Sequence, residues 1–175
     1  MNIKPSEDQG KVTTISGTRD AALPTFRLKK ILVPVDFSGC SKKALQYSIA
    51  LARQFGAELT LLHVVQPYPP MPEMGPIDAE SVQDAHEELA AFQRTIGDAA
   101  NSKTMVRTGA PHVEIIDTAK EEDIDLIVIS THGRTGLEHV LLGSTAEKVV
   151  RHAVCPVLTV REHEREFIVQ GTAQV

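Results

Sequence analysis

The feature that most limits how this chain folds is an alternation: short apolar runs of strand length are separated by stretches whose apolar residues recur at helical spacing. The runs are Lys30–Val35 (KILVPV), Glu58–Val65 (ELTLLHVV), Asp125–Ser130 (DLIVIS) and Pro156–Val160 (PVLTV), with a weaker one at Thr104–Arg107. Apolar residues without polar alternation mark strands covered on both faces. After the first run, Asp36-Phe37-Ser38-Gly39 signals a turn, and Ser38 or Ser41 caps the helix that follows. Leu45, Ile49, Ala52 and Phe55 make that helix's apolar face, and Gly56 ends it. Asp78 to Ala100, rich in Ala, Glu and Gln, reads as the second helix. Pro111 opens a third, where its missing N–H costs nothing, and Val113, Ile116 and Ala119 or Lys120 complete it. Gly143–Ala153 is the fourth. Pro34 would break a ladder bond inside a central strand, so the first strand is expected to end there. This order of elements predicts βαβ units and a doubly wound α/β fold, a mostly parallel sheet with helices on both faces. Ligands in such folds bind beyond the carboxyl ends of the strands. Asp36 and Thr131–Arg134 both lie on that edge.

A length of 175 residues suits one domain. Three parts are expected: an N-terminal extension at 1–28, a folded domain at 29–161 and a tail at 162–175, charged and then apolar at Phe167-Ile168-Val169. Residues 66–77 hold five prolines and two methionines, the composition of a loop. Such a loop is either a lid with Met71 and Met74 over a ligand or a surface connection. A formal charge of -5, 4% aromatics and no Trp argue against nucleic acid as a partner, since neither a basic footprint nor a stacking platform is there. No apolar run reaches the length needed to cross a bilayer, and the first twenty residues lack a signal-peptide core, so a soluble cytoplasmic protein is expected. Cys40 and Cys155 form no C-x-x-C and read as two buried thiols. Of seven histidines, His132, His139 and His152 lack close ligand spacing and His63 sits in an apolar strand, so no metal cage is expected. No nucleophile, base or acid constellation can be assembled, and no catalytic residue is assigned.

The informative segment runs from Ser130 to Thr145 (STHGRTGLEHVLLGST). It joins a strand to a helix N-terminus through a loop with three glycines, Gly133, Gly136 and Gly143. Glycines let backbone approach a phosphate, and a helix start offers unpaired N–H groups and a positive dipole end. No Walker A or G-x-G-x-x-G pattern exists. Ser144-Thr-Ala-Glu147 also reads as a capping box, which needs no ligand, and Gly136 as a turn residue. Asp36 is a turn residue or a ligand contact; an aspartyl-phosphate role would need a preceding acidic pair, and there is none.

KKILVPVDFS, LLHVV and DLIVISTHGRTGLEHVLLGSTAEKVVRHAVCPVLTV, in that order, resemble the universal stress protein family. The resemblance covers about Lys29 to Arg161. It implies a five-stranded parallel sheet ordered 3-2-1-4-5, of the adenine nucleotide alpha-hydrolase-like kind, which sets strands one and four side by side. The family's ATP-binding branch carries G-x2-G-x9-G-[ST]; Gly133, the nine-residue spacer and Gly143-Ser144 match it, and Ser130 replaces the first glycine. If that position needs a positive φ, serine costs about 1–2 kcal/mol there. By resemblance, Asp36 contacts the ribose. Pro34, Val35 and Val64 wall the adenine, and Ile129 and Ser130 line the same site. Gly133, Gly143, Ser144 and Thr145 bind phosphates, assisted by His132 and Arg134. A Mg²⁺ or Mn²⁺ ion held mainly by phosphates is implied. The resemblance further implies a homodimer through the uncharged fifth strand, Pro156 to Val160, with Phe167–Val169 adding to it, and an ATP-binding switch with at most slow hydrolysis. The alternatives are a dimeric interaction module that binds no nucleotide, which Ser130 favours, and, by fold analogy alone, an enzyme acting on adenylates.

Overall fold

The computed structural model describes residues 25–66, 79–132 and 142–161. The expected lid at Met71 and Met74, the loop residues Gly133, Arg134 and Gly136, and the apolar tail Phe167–Val169 lie outside them. Five strands, β1 (Lys30–Pro34), β2 (Glu58–Val65), β3 (Ser102–Thr108), β4 (Leu126–Ser130) and β5 (Val157–Val160), form one sheet. Its order is β3-β2-β1-β4-β5, and every pairing is parallel. Four helices connect them: α1 (Gly39–Phe55), α2 (Ala79–Arg94), α3 (Pro111–Glu121) and α4 (Ser144–His152).

Local chemistry sets the ends of these elements. Ser38 caps α1 by accepting from the Ser41 N–H, and Gly56 stops it in the left-handed conformation at φ 67°. Pro111 occupies the first turn of α3. β1 stops at Pro34, as the missing donor requires. The second helix is shorter than its composition suggested. It ends at Arg94, and a single 3₁₀ turn (Gly97–Ala99) follows, with Gly97 at φ 54°.

The strands' two faces feed two cores. Ile31, Val33, Leu59 and Leu61 pack with Ala44, Leu45 and Ala52 of α1 and Leu89 and Phe92 of α2. Leu32, Leu62, Ile127 and Ile129 pack with Ile115 and Ala119 of α3 and Ala146 and Val149 of α4. Strand side chains alternate between faces, so consecutive residues such as Leu61 and Leu62 are both fully buried, in opposite cores. Each such leucine contributes about 1.5–3 kcal/mol. Two helix faces differ from expectation. Phe55 is 41% exposed at the end of α1, where it meets Phe26 edge-on, and Val113 is 42% exposed while Ile115 takes the core position. Cys40 is buried; Cys155 is only half-buried, packed at the edge of the α3–α4 core.

Because α1 and α2 cover one face and α3 and α4 the other, the chain leaves β1 and β4 in opposite directions. That divergence is the topological switch point, and it opens a crevice at the carboxyl ends of the two central strands. The opposite edge is pinned: Asp125 Oδ2 accepts from the backbone N–H groups of Lys29 (2.7 Å) and Lys30 (3.0 Å), tying the start of β4 to that of β1.

Candidate nucleotide-binding site

Register defines what meets at the crevice. Leu32 pairs with Ile127, so continuing along the parallel strands puts Asp36, just past β1, level with the residues that follow Ser130. Thr131 fixes the second strand's exit. It is 2% exposed, its N–H donates to the Val160 carbonyl (2.9 Å), and its own carbonyl accepts from the Gly143 N–H at 2.7 Å. Its hydroxyl lies 3.0 Å from His132 Nδ1. The start of α4 is thereby drawn back onto the end of β4. A Cβ on Gly143 would stand 3.0 Å from the Thr131 carbonyl oxygen, which is why glycine occupies the position. The sequence placed Thr131 on the ligand edge only as the start of the Thr131–Arg134 segment and gave it no role of its own, because a threonine inside a loop motif carries no periodic or compositional signal.

The N-cap of α4 is Gly143, at φ -65° and ψ 154°, and no side chain caps the helix. This corrects the capping-box expectation. Ser144 is the first helical residue rather than the cap, and Glu147 pairs with Arg151 one turn on (3.0 Å) instead of folding back. Among the described residues no side chain accepts from the first N–H groups of α4, and Ser144 is exposed with Thr145 half-buried beside it. Uncapped N–H groups together with the helix dipole form an anion-binding end.

Ser130 lies inside β4, paired with Val160, and the positive-φ residues other than glycine among the described residues are Phe37 and Asp123. The serine therefore carries no left-handed strain, and the cost considered for this substitution does not arise. It is 9% exposed.

On the β1 side, Asp36 is half-buried and oriented by Ser38, whose N–H (3.1 Å) and hydroxyl (2.6 Å) both donate to Asp36 Oδ1. The same Ser38 oxygen accepts from the Ser41 N–H, so helix cap and carboxylate share one hydroxyl. Between them Phe37 adopts φ 64°, a conformation costing a residue with a Cβ about 1–2 kcal/mol. Such strain persists only where neighbours hold it. Here Phe37 stacks on His63 (centroids 4.6 Å, 35° between planes) and meets Phe92 edge-on at 5.9 Å. His63 Nδ1 lies 2.7 Å from the Val35 carbonyl. None of these supports was foreseen.

The expected walls divide. Val64 is half-buried against the α3–α4 core, and Pro34, half-buried two residues beyond Leu32, lies on the same side of the sheet by strand alternation. Ile129 is 4% exposed on that same side, beneath the edge. Val35 is different: its side chain is 4% exposed and packs in the α1–α2 core, on the face opposite Val64. His132 is half-buried at the crevice. Among the described residues no group of three or more His, Cys, Asp or Glu is gathered as a metal site. No described helix is long and apolar enough to cross a membrane.

Comparison with known proteins agrees with this fold. Universal stress protein MJ0531 of Methanocaldococcus jannaschii is 35% identical over 144 residues, 79% of this chain and 85% of its own. The structure of universal stress protein UspA from Lactobacillus plantarum superposes with a TM-score of 0.69 at 35% identity, covering 78% of this chain and all of that one. A universal stress protein from Archaeoglobus fulgidus, solved in complex with dAMP, superposes at 0.58 with 25% identity over 77% of this chain and 99% of its own. The sequence profile of the Universal stress protein family matches residues 27–161, and the chain belongs to that family.

Proposed function

We propose that this chain binds ATP in the crevice between β1 and β4 and works as a homodimeric regulatory switch in a stress response. The observation that carries the reading is the side-chain-free N-terminus of α4, held against the end of β4 by the Gly143–Thr131 bond and set across from the oriented Asp36 carboxylate. An anion-binding helix end and an acceptor for ribose hydroxyls, set on opposite sides of a switch point, are the two complementary halves of a nucleotide site. In this reading Asp36 takes the ribose, Pro34 and Val64 flank the adenine with Ile129 below, and Gly143, Ser144 and Thr145 take phosphates. Ser130 and His132, with Gly133 and Arg134 of the loop, complete the set. The dAMP complex of the Archaeoglobus fulgidus relative supports an adenine nucleotide as the ligand class. Mg²⁺ or Mn²⁺ fits as a phosphate-held ion, since the described residues gather no carboxylate cluster of their own. When bound, it neutralises phosphate charge; the protein's part is to orient the nucleotide. We assign no base or nucleophile here, and the reading carries at most slow hydrolysis.

The dimer reading rests on the two sheet edges. β3 carries Lys103 and Arg107, both in ion pairs, whereas β5 (VLTV) is uncharged. Charged edges resist strand pairing and uncharged ones invite it. Antiparallel pairing of β5 across a two-fold axis gives an isologous interface. A concentration-independent monomer mass in solution would remove the dimer from the proposal.

The test is calorimetric titration with ATP and Mg²⁺, after a denatured sample has been examined for co-purified nucleotide. Affinity in the micromolar range, or nucleotide already bound, is expected. No heat up to millimolar ATP would leave the second reading, a dimeric interaction module without a nucleotide. That reading's support was the missing first glycine, and the extended backbone of Ser130 takes away its conformational argument.

A further inference from the structure

We propose that His63, on β2, is a positioning residue for Asp36, a role that rests on the nucleotide reading above. A carbonyl oxygen only accepts, so the 2.7 Å contact with Val35 requires the proton on His63 Nδ1. The bond sits where the backbone ladder runs out. β1 pairs with β2 up to Pro34↔Leu62, and the Val35 N–H still donates to the Leu62 carbonyl (2.8 Å). The next acceptor, Val35 O, belongs to the peptide group that also contains the Asp36 nitrogen. Holding that oxygen fixes the plane of the Val35–Asp36 peptide and hence the direction in which Asp36 leaves the strand.

The same imidazole supports the other side of Asp36. Phe37, in its left-handed conformation, lies with its ring 4.6 Å from that of His63 and is braced from beyond by Phe92. One side chain therefore touches the peptide before Asp36 and the side chain after it. Ser38 then sets the carboxylate itself through its two bonds to Oδ1. The hydrogen bond and the ring contact of His63 go to Val35 and Phe37, the residues on either side of Asp36. It lies on the α1–α2 side of the sheet, beneath the turn, whereas Val64 beside it lies on the α3–α4 side. Its effect on binding passes through Asp36.

The two nitrogens of histidine have different amide mimics. Asn places its NH₂ near Nδ1 and Gln near Nε2, so the pair separates this hydrogen bond from general packing. With the full-length protein, ATP–Mg²⁺ titration of His63→Ala should show about tenfold weaker binding, the equivalent of one lost hydrogen bond. His63→Asn should recover to within about threefold of the unsubstituted protein and His63→Gln should not, whatever the order of their melting temperatures. Equal affinities for Asn and Gln, or an Ala variant that binds within twofold of the original (about 0.4 kcal/mol), would overturn the assignment. A ligand-free measurement separates this claim from the nucleotide reading. Long-range ¹H–¹⁵N spectra should show His63 protonated at Nδ1, and the Ser38 amide should exchange about tenfold faster in the Ala and Gln variants than in the original and Asn proteins. If the unsubstituted protein binds no ATP, the functional reading falls, and these exchange rates decide the positioning role: an unchanged Ser38 rate across all four proteins overturns it.

Discussion

Gly143 is where packing and binding are most closely joined, and its substitution can be worked through from the structure. Its φ of -65° and ψ of 154° are open to any residue, so a side chain meets no conformational penalty there. The obstacle is steric. A Cβ would stand 3.0 Å from Thr131 O, while ordinary contact starts at 3.4 Å. Opening that gap by about 0.4 Å lengthens the adjoining N–H···O bond from 2.7 Å toward about 3.1 Å, which weakens it without breaking it. Glycine is also the better N-cap of the two. Together these make Gly143→Ala destabilising by about 1 kcal/mol, partly offset by the lower entropy of the unfolded alanine chain. Scanning calorimetry should read this as a melting temperature about 3 °C lower. The same displacement moves the α4 N–H groups away from the phosphates, and a misplacement of that kind should weaken ATP by about tenfold. Gly143→Val, whose branches add atoms beyond Cβ, should abolish detectable binding while the fold and the dimer persist. Unchanged ATP affinity in the valine variant would show that the phosphates do not lie at α4. An unchanged melting temperature in the alanine variant would show that the Thr131 contact is not tight.

Three further outcomes follow from other sites. Ser130→Gly, which restores the family's first glycine, should leave ATP affinity within about threefold and lower stability by about 0.5–1 kcal/mol, because an extended strand residue gains nothing from glycine's freedom; a tenfold gain in affinity would mean that Ser130 obstructs the site. Thr118 on α3 is fully buried and its Oγ1 has no hydrogen-bond partner among the described residues, so the isosteric Thr118→Val should stabilise the fold by about 1 kcal/mol in chemical denaturation; a loss of stability would show that the hydroxyl is satisfied. Lys103 Nζ lies 2.6 Å from Glu122 and 3.4 Å from Glu58. The hydrogen bond from Lys103 holds the Glu122 carboxyl below its ordinary value, and the same bond raises Lys103. The pair's contribution is therefore present at neutral pH. It is lost as pH falls through the acid range below the usual glutamate value, and again as pH rises above the usual lysine value. Both partners are partly open to solvent, with 42% of the Lys103 and 28% of the Glu122 side chain exposed, so Lys103→Ala should cost no more than about 1 kcal/mol at neutral pH and close to nothing at about pH 2 or in about 1 M salt. An equal cost at both pH values would mean that packing, and not charge, is what the lysine supplies.

Much of the architecture was written locally. The apolar runs located β1, β2, β4 and β5 to within a residue, because a strand covered on both faces must be apolar throughout, while the weaker run at Thr104–Arg107 marked only the middle of the polar edge strand β3. Ser38, Gly56 and Pro111 marked helix ends through their own backbone chemistry. The segments KKILVPVDFS, LLHVV and DLIVIS through PVLTV, in that order, carried the family resemblance, which in turn supplied the strand order; periodicity has no means of specifying which strands become neighbours. The sequence by itself thus determined the elements, their order along the chain and the segment to suspect. Tertiary structure decided what the suspected residues do. It made Ser130 an extended strand residue and turned an apparent capping box into a helix start left uncapped by any side chain. It sent the Val35 side chain into the core, and joined His63 to a carbonyl 28 positions away. Each of these depends on which face a side chain takes at a strand's end, or on a bond between residues distant along the chain. Local pattern is blind to both, because it reports the period of burial and not the partner.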